Sequence, residues 1–327
     1  MKLFFSLSLV LATILFLVAC GGPTQTGSTA ELVPSNANLI AQVQVAKLLQ
    51  DEDFRSLYQQ VPKGIGEPQS FDELLDMAQQ ETGIDFRQFT SAVLFGDVAQ
   101  DQEYFGIIAR GQINEQEIVS AIEESGEDAL DTMDYAGQQI YLAPEDSDTL
   151  AMAFLGDDTL VLGTLPAVQN VIDVQDSKLD RISGKVHDTF NDLGDPLFSM
   201  AMQMPPEALA DLDDSLGGGQ GFGMMPAMDA FRDLDVLSLV LDKPGNDVKV
   251  EATLDFFTAE SASRMSDTLD GFLKLAAGFA PDEGTRMLLK NLELSVDGTR
   301  LTIKFQAPIS EVQEAARSIE QDFSGEY

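Results

Sequence analysis

Apolar positions along this chain recur with two periods, every second residue in short runs and every third or fourth in longer ones, and the two alternate. Residues 38–45 (NLIAQVQV) alternate apolar and polar side chains, which predicts a half-buried strand. Helical spacing follows from Ala46 to about Gln60 and again from Phe71 to Thr82. SAVLFGD (91–97) and YFGIIARG (104–111) read as strands joined by a polar turn, a hairpin. Asn114 precedes a helical run and Glu117 lies three residues on, the spacing of an N-cap with a capping box. QQIYLA, TLAMAFL and TLVLGT then read as three strands, after which Pro166 opens the helix AVQNVIDV.

The second half repeats this order. LFSMAMQM (197–204) predicts a first strand, and VLSLVLD and DVKVEATLDF flank the turn KPGN as a hairpin. The helix AESASRMSDTLDGFLKLAA carries Met265, Leu269, Phe272, Leu273 and Ala276 on one face. NLELSV and RLTIKF surround Asp297 and Gly298, a two-residue hairpin signal, and a last helix begins after Pro308 with Val312, Ala316, Ile319 and Phe323 as its stripe. Side by side, AFLGDDTLVLGTLPAVQNVID and ELSVDGTRLTIKFQAPISEVQEA share a strand, a tight acidic turn, a second strand and a Pro-led helix. The expectation is an α+β chain of two related units, each an antiparallel sheet covered on one face by helices. The first would span 37–176 and the second 196–327, joined by a polar linker over 177–195.

Ahead of the first unit the pattern changes. Lys2 is followed by an apolar run from Leu3 to Val18, then Ala19 and Cys20, the form of an export signal with its cleavage site. Leu17, Val18, Ala19 and Cys20 resemble the lipobox of bacterial lipoproteins. That resemblance implies a signal peptide over 1–19 and diacylation of Cys20 as the first mature residue. Cys20 is the single cysteine of the chain, which excludes an internal disulfide. Residues 20–36 lack apolar periodicity at their start and read as a flexible tether. The body is similar to uncharacterised duplicated envelope lipoproteins.

Charge narrows the partners. The 327-residue chain has 55 acids against 19 Lys and Arg, a formal charge of −36, and removing residues 1–19 takes away Lys2 and no acid. Phosphate backbones and anionic headgroups repel such a body, which excludes nucleic acid and leaves the acyl chain as the source of membrane affinity.

Candidate chemistry is sparse. SMAMQMPP (199–206) sets three methionines at alternate positions, and thioethers suit Cu(I). Aligned with the first strand, however, Met200, Met202 and Met204 fall where Ala41, Val43 and Val45 stand, so they are assigned to a core face rather than a metal. His187 is the only histidine and has no serine or cysteine motif beside it. Carboxylate pairs such as Asp157 with Asp158, Asp213 with Asp214 and Glu123 with Glu124 are as numerous as chance among 55 acids allows. DLDDSLGGG (211–219) starts like a calcium loop but lacks its sixth-position glycine and closing glutamate. SLGGGQGFGMMPAM (215–228) combines mobile glycines with Phe222, Met224, Met225 and Met228, a mixture expected to form an apolar contact loop.

These features point to a non-catalytic binding or structural module of the cell envelope. It would be lipid-anchored in the cell membrane or the outer membrane, with its body on the extracytoplasmic side, no cofactor and no metal. Its partner would be an envelope protein or an apolar ligand; the alternative is a carrier of a lipid or other apolar small molecule. Cys20→Ala should abolish incorporation of a radiolabelled fatty acid in growing cells, and equal label on the variant would overturn the anchor.

Overall fold

Among the described residues, alternating side chains build twelve strands that pair antiparallel within each of two compact units, 1–184 and 185–327, and helices pack on them. The protein is α+β. The computed structural model describes residues 29–60, 68–98, 104–125, 130–144, 149–204, 231–280 and 283–315.

In the first unit the strands are β1 (Leu39–Val43), β2 (Phe89–Gly96), β3 (Phe105–Gly111), β4 (Asp131–Tyr135), β5 (Gln138–Pro144), β6 (Thr149–Phe154) and β7 (Thr159–Thr164). They lie in the order β1-β2-β3-β7-β6-β5-β4. One register row runs Val93, Ile108, Val161, Ala153, Ile140, and all five are fully buried. The neighbouring positions Ala109, Leu160, Met152 and Phe154 point to the other face and are also buried, in a cluster with Ile84, Phe89 and Ile118. Both faces of this sheet are therefore covered, where the periodicity predicted cover on one. The helix Leu165–Gln175 buries Ala167, Val168, Val171 and Ile172 and contacts β3, β6 and β7. Ile118, from the helix Glu115–Ser125, serves the other face.

Local chemistry explains where the elements stop. The helix expected from Ala46 to Gln60 is two helices, Val45–Gln50 and Glu52–Gln60, because Asp51 adopts an extended backbone and its carboxylate accepts from Phe54 N at 3.0 Å. That geometry is an N-cap, which starts a new helix rather than continuing the old one. Ser70 caps Phe71–Thr82 in the same way, and Gly83 closes it at φ +72°. Asn114 accepts from Glu117 N at 3.4 Å, as its spacing predicted. β4 escaped the pattern because DTMDY is mostly polar and exposed. It pairs with β5 around Ala136 and Gly137, whose φ values of 56° and 83° are those of a tight hairpin turn.

Residues 177–195 contain the division between the units, after Gly184, and are structured on both sides of it. Ile182 N donates to Val33 O at 2.7 Å and Ser35 N to Asp180 O at 2.9 Å, which tie this stretch to the first unit. Lys185–Asp192 is instead a helix of the second unit that buries Val186 and Phe190.

The second unit comprises β8 (Phe198–Gln203), β9 (Leu234–Asp242), β10 (Asp247–Phe256), β11 (Leu292–Asp297) and β12 (Arg300–Pro308), ordered β8-β9-β10-β12-β11. Thr258 caps the helix Ala259–Phe279, its hydroxyl accepting from Ser261 N at 3.1 Å. A short helix, Glu283–Lys290, follows with too few apolar residues to have been separable from a loop. The β11–β12 turn is shifted by one residue from the expected one. Asp297 pairs with Arg300, so Gly298 at φ +59° and Thr299 make the turn.

Gly106 is register partner to Phe95, and a Cβ there would fall 2.4 Å from the Phe95 ring. Phe95 is fully buried and packs edge-on to Tyr104, so the ring has nowhere to move. Gly106→Ala should therefore lower unfolding free energy by about 1–3 kcal/mol in urea titrations, the usual range for overpacking.

Candidate functional site

The five strands of the second unit separate their faces by register. Phe198, Leu241, Val250, Phe305 and Leu292 form one cross-strand row, and Met200, Leu239, Ala252, Ile303 and Leu294 form the next. Met202, Leu237, Leu254, Leu301 and Val296 form the third. All fifteen positions are apolar. Such a face needs cover, since burial of a large apolar side chain contributes roughly 1.5–3 kcal/mol.

The helix Ala259–Phe279 supplies cover at one end only. Ala262 and Met265 are buried against Leu234, Leu254, Phe256 and Leu301, with Leu269 and Ile303 packed beside them. With successive residues about 100° apart on a helix, Met265, Leu269, Phe272, Ala276 and Phe279 fall on one stripe roughly 80° wide. Exposure climbs along that stripe from 1% at Met265 to 54% at Phe272 and 78% at Phe279. Leu275, at the margin, is 57% exposed. On the sheet, Met200, Met202, Leu237, Leu239, Leu241, Val250, Ala252 and Phe305 are only half-buried. The second unit thus carries an incompletely covered apolar face beside a helix stripe that is buried at Met265 and exposed at Phe272 and Phe279.

The opposite face carries charge. Its rows are Ser199, Val240, Glu251, Lys304, Glu293; Ala201, Ser238, Thr253, Thr302, Ser295; and Gln203, Val236, Asp255, Arg300, Asp297. Of its three apolar members Ala201 and Val236 are buried and Val240 is half-buried, and the helix Lys185–Asp192 contacts their strands. Elsewhere ion pairs fill the face. Glu251 lies 3.1 Å from Lys249 and 3.7 Å from Lys304, and Arg300 donates to Asp255 at 3.0 and 3.1 Å. The hydrogen bonds to Asp255 push the Arg300 pKa up, with Asp192 and Asp297 adding to the effect. These paired side chains satisfy one another.

Of the residues singled out from the sequence, Met200, Met202 and Met204 lie in the described part. Met204 packs against the core cluster of the second unit, and Met200 and Met202 sit half-buried in its apolar rows. His187 is half-buried, its ring nitrogens 3.0 and 3.3 Å from the Asn191 amide and 3.5 Å from Asp188. Asp157 and Asp158 occupy the turn between β6 and β7, where Asp158 pairs with Arg110 at 3.4 Å. Cys20, the acidic stretch 211–219 and the loop residues Phe222, Met224, Met225 and Met228 lie outside the described residues. Among the described residues, no group of three or more His, Cys, Asp or Glu is placed to hold a metal, and no helix is long and apolar enough to cross a membrane.

Sequence reasoning missed the exposure of the helix stripe, although a signal was present. FLKLAAGF at 272–279 has more large apolar residues than one stripe against a sheet requires.

No protein-family model matches the chain, and no curated protein matches it. The chain is similar to solved structures described as crystal forms IV, III and I of TP0453, at 13%, 11% and 12% identity and TM-scores of 0.49, 0.49 and 0.47. They cover 90%, 89% and 89% of this chain and 98%, 98% and 97% of theirs.

The apolar rows make a specific statement about the methionines. Converting Met200, Met202 and Met204 together to Leu should leave folding within about 1–3 kcal/mol of the parent, since each swap nearly conserves volume. Tight Cu(I) binding by the parent that the triple variant loses, measured by competition with a chromogenic chelator, would overturn the packing role.

Proposed function

We propose that this protein is a non-catalytic binding module of the cell envelope, held at a membrane through acylated Cys20, with the second unit as its binding half. The observation that carries the reading is the apolar face of that unit, fifteen apolar positions in register of which the helix Ala259–Phe279 buries only one end. In a chain with a formal charge of −36, large apolar side chains such as Phe272, Leu275 and Phe279 held in water mark a contact surface. Anchoring rests on the leader and lipobox pattern of residues 1–20. The same acidity argues against nucleic acid as partner.

A second reading, carriage of a lipid or other apolar small molecule, is favoured by the half-buried state of Met200, Met202, Leu237, Leu239 and Leu241. These side chains are sheltered enough to desolvate a slender ligand, and nothing polar interrupts their rows.

The two units are read as an internal duplication. Supporting this, β1, β2, β3 and β7 hold the same places in order as β8, β9, β10 and β12, and each set includes a hairpin, a following helix and a second hairpin partner, β6 or β11. β4 and β5 are then an addition peculiar to the first unit.

Native mass spectrometry of the full chain released from detergent distinguishes the readings. Bound apolar mass that disappears in Phe272→Ser with Phe279→Ser supports carriage. Bare protein, together with saturable binding of a fluorescent hydrophobic probe that the same variant abolishes, supports a module with a protein partner. If neither mass nor probe binds, the apolar face has no binding role. Because both side chains are exposed, the double variant should retain the parent melting temperature.

A further inference from the structure

β11 is the outermost strand of the second unit, and Val296 at its end is 42% exposed. The charged rows of the sheet run acid to base to acid toward this edge. Glu251 on β10 faces Lys304 on β12, which faces Glu293 on β11, and Asp255, Arg300 and Asp297 repeat the alternation. The bases are already committed inward. Lys304 is 3.7 Å from Glu251 and Arg300 donates twice to Asp255, so both bases bond inward, while Glu293 and Asp297 face them from the outer strand and Asp297 acts on Arg300 only electrostatically. Each ladder therefore ends at the edge on an acid, Glu293 or Asp297, the two four residues apart on one face, with Leu292, Leu294 and Val296 on the other.

We propose that β11 is a docking edge for an extended protein segment in which basic and apolar residues alternate. Added as a further antiparallel strand, such a segment sets Lys or Arg opposite Glu293 and Asp297 and continues the apolar rows opposite Leu292, Leu294 and Val296. Main-chain hydrogen bonds provide the affinity, and the two ladders set register and partner. A second copy paired through its own β11 in the register centred on Ser295 would place Glu293 opposite Asp297 twice, and like charges directly opposite are destabilising, whereas a basic and apolar segment meets both acids with opposite charge. The proposal stands apart from the apolar-ligand reading, since its specificity rests on Glu293 and Asp297 of the edge strand, which lie on the opposite face.

The test uses the full chain in detergent micelles and two fluorescein-labelled peptides of one composition. These are Val-Arg-Val-Thr-Val-Arg-Val, which matches the edge, and the block form Arg-Arg-Thr-Val-Val-Val-Val. Fluorescence anisotropy should show the alternating peptide binding at least about tenfold more tightly than the block form. Glu293→Lys with Asp297→Lys should erase that preference, whereas Glu123→Lys with Glu124→Lys, an equal change of net charge on an exposed helix of the first unit, should preserve it. Circular dichroism establishes that each variant is folded, and hydrogen exchange should slow at the amides of β11 when the alternating peptide is bound. Equal binding of the two peptides would reduce the effect to general attraction by an acidic body. No saturable binding, or protection away from β11, would mean that these acids only keep the edge from pairing, the common way an exposed strand is blunted. Either result overturns the proposal.

Discussion

The second unit depends on one constraint, the strict sorting of side chains onto two faces of a five-stranded sheet. Register makes the sorting complete, because partners across antiparallel strands point the same way and a slip of one residue would exchange the faces. Three rows become wholly apolar and three become largely polar. The polar rows can be left to water and to their own ion pairs. The apolar rows cannot, and the extent to which they are covered determines what this half of the chain can do.

The two units answer that need differently. In the first, both faces are buried, and the central row of Val93, Ile108, Val161, Ala153 and Ile140 has no exposure. That sheet is a finished core. In the second, the helix Ala259–Phe279 covers the end nearest its N-terminus, and its inward stripe then runs on into solvent. Both sheets arise from similar sequence patterns, so the difference lies in packing and not in composition. It also accounts for placing the proposed binding role in the second half.

Electrostatics contribute at the surface rather than in the core. Arg300 with Asp255 is well aligned, but the guanidinium is largely exposed, and such pairs typically contribute about 0–1 kcal/mol. Their arrangement matters more than their energy. They fix which acids are paired within the sheet and leave Glu293 and Asp297 on its outer strand, where the proposed docking would meet them.

The sequence by itself determined the α+β class, both hairpins at β2–β3 and β9–β10, the Asn114 cap and the apolar identity of the Met200–Met204 face, because each follows from residues near one another in the chain. Period-2 alternation names a strand's faces without reference to any neighbour. Tertiary structure decided what lay beyond that reach. Asp51 divides a helix by turning its carboxylate to Phe54 N, β4 gains strand form only by pairing with β5, and residues 177–195 divide between the units through contacts with Val33 on one side and with β8 on the other. Above all, the helical period of 259–279 says which side chains share a stripe, but not how far the sheet extends beneath them. Met265 and Phe279 are equivalent in that pattern, and only the position of the sheet makes one a core residue and leaves the other in solvent.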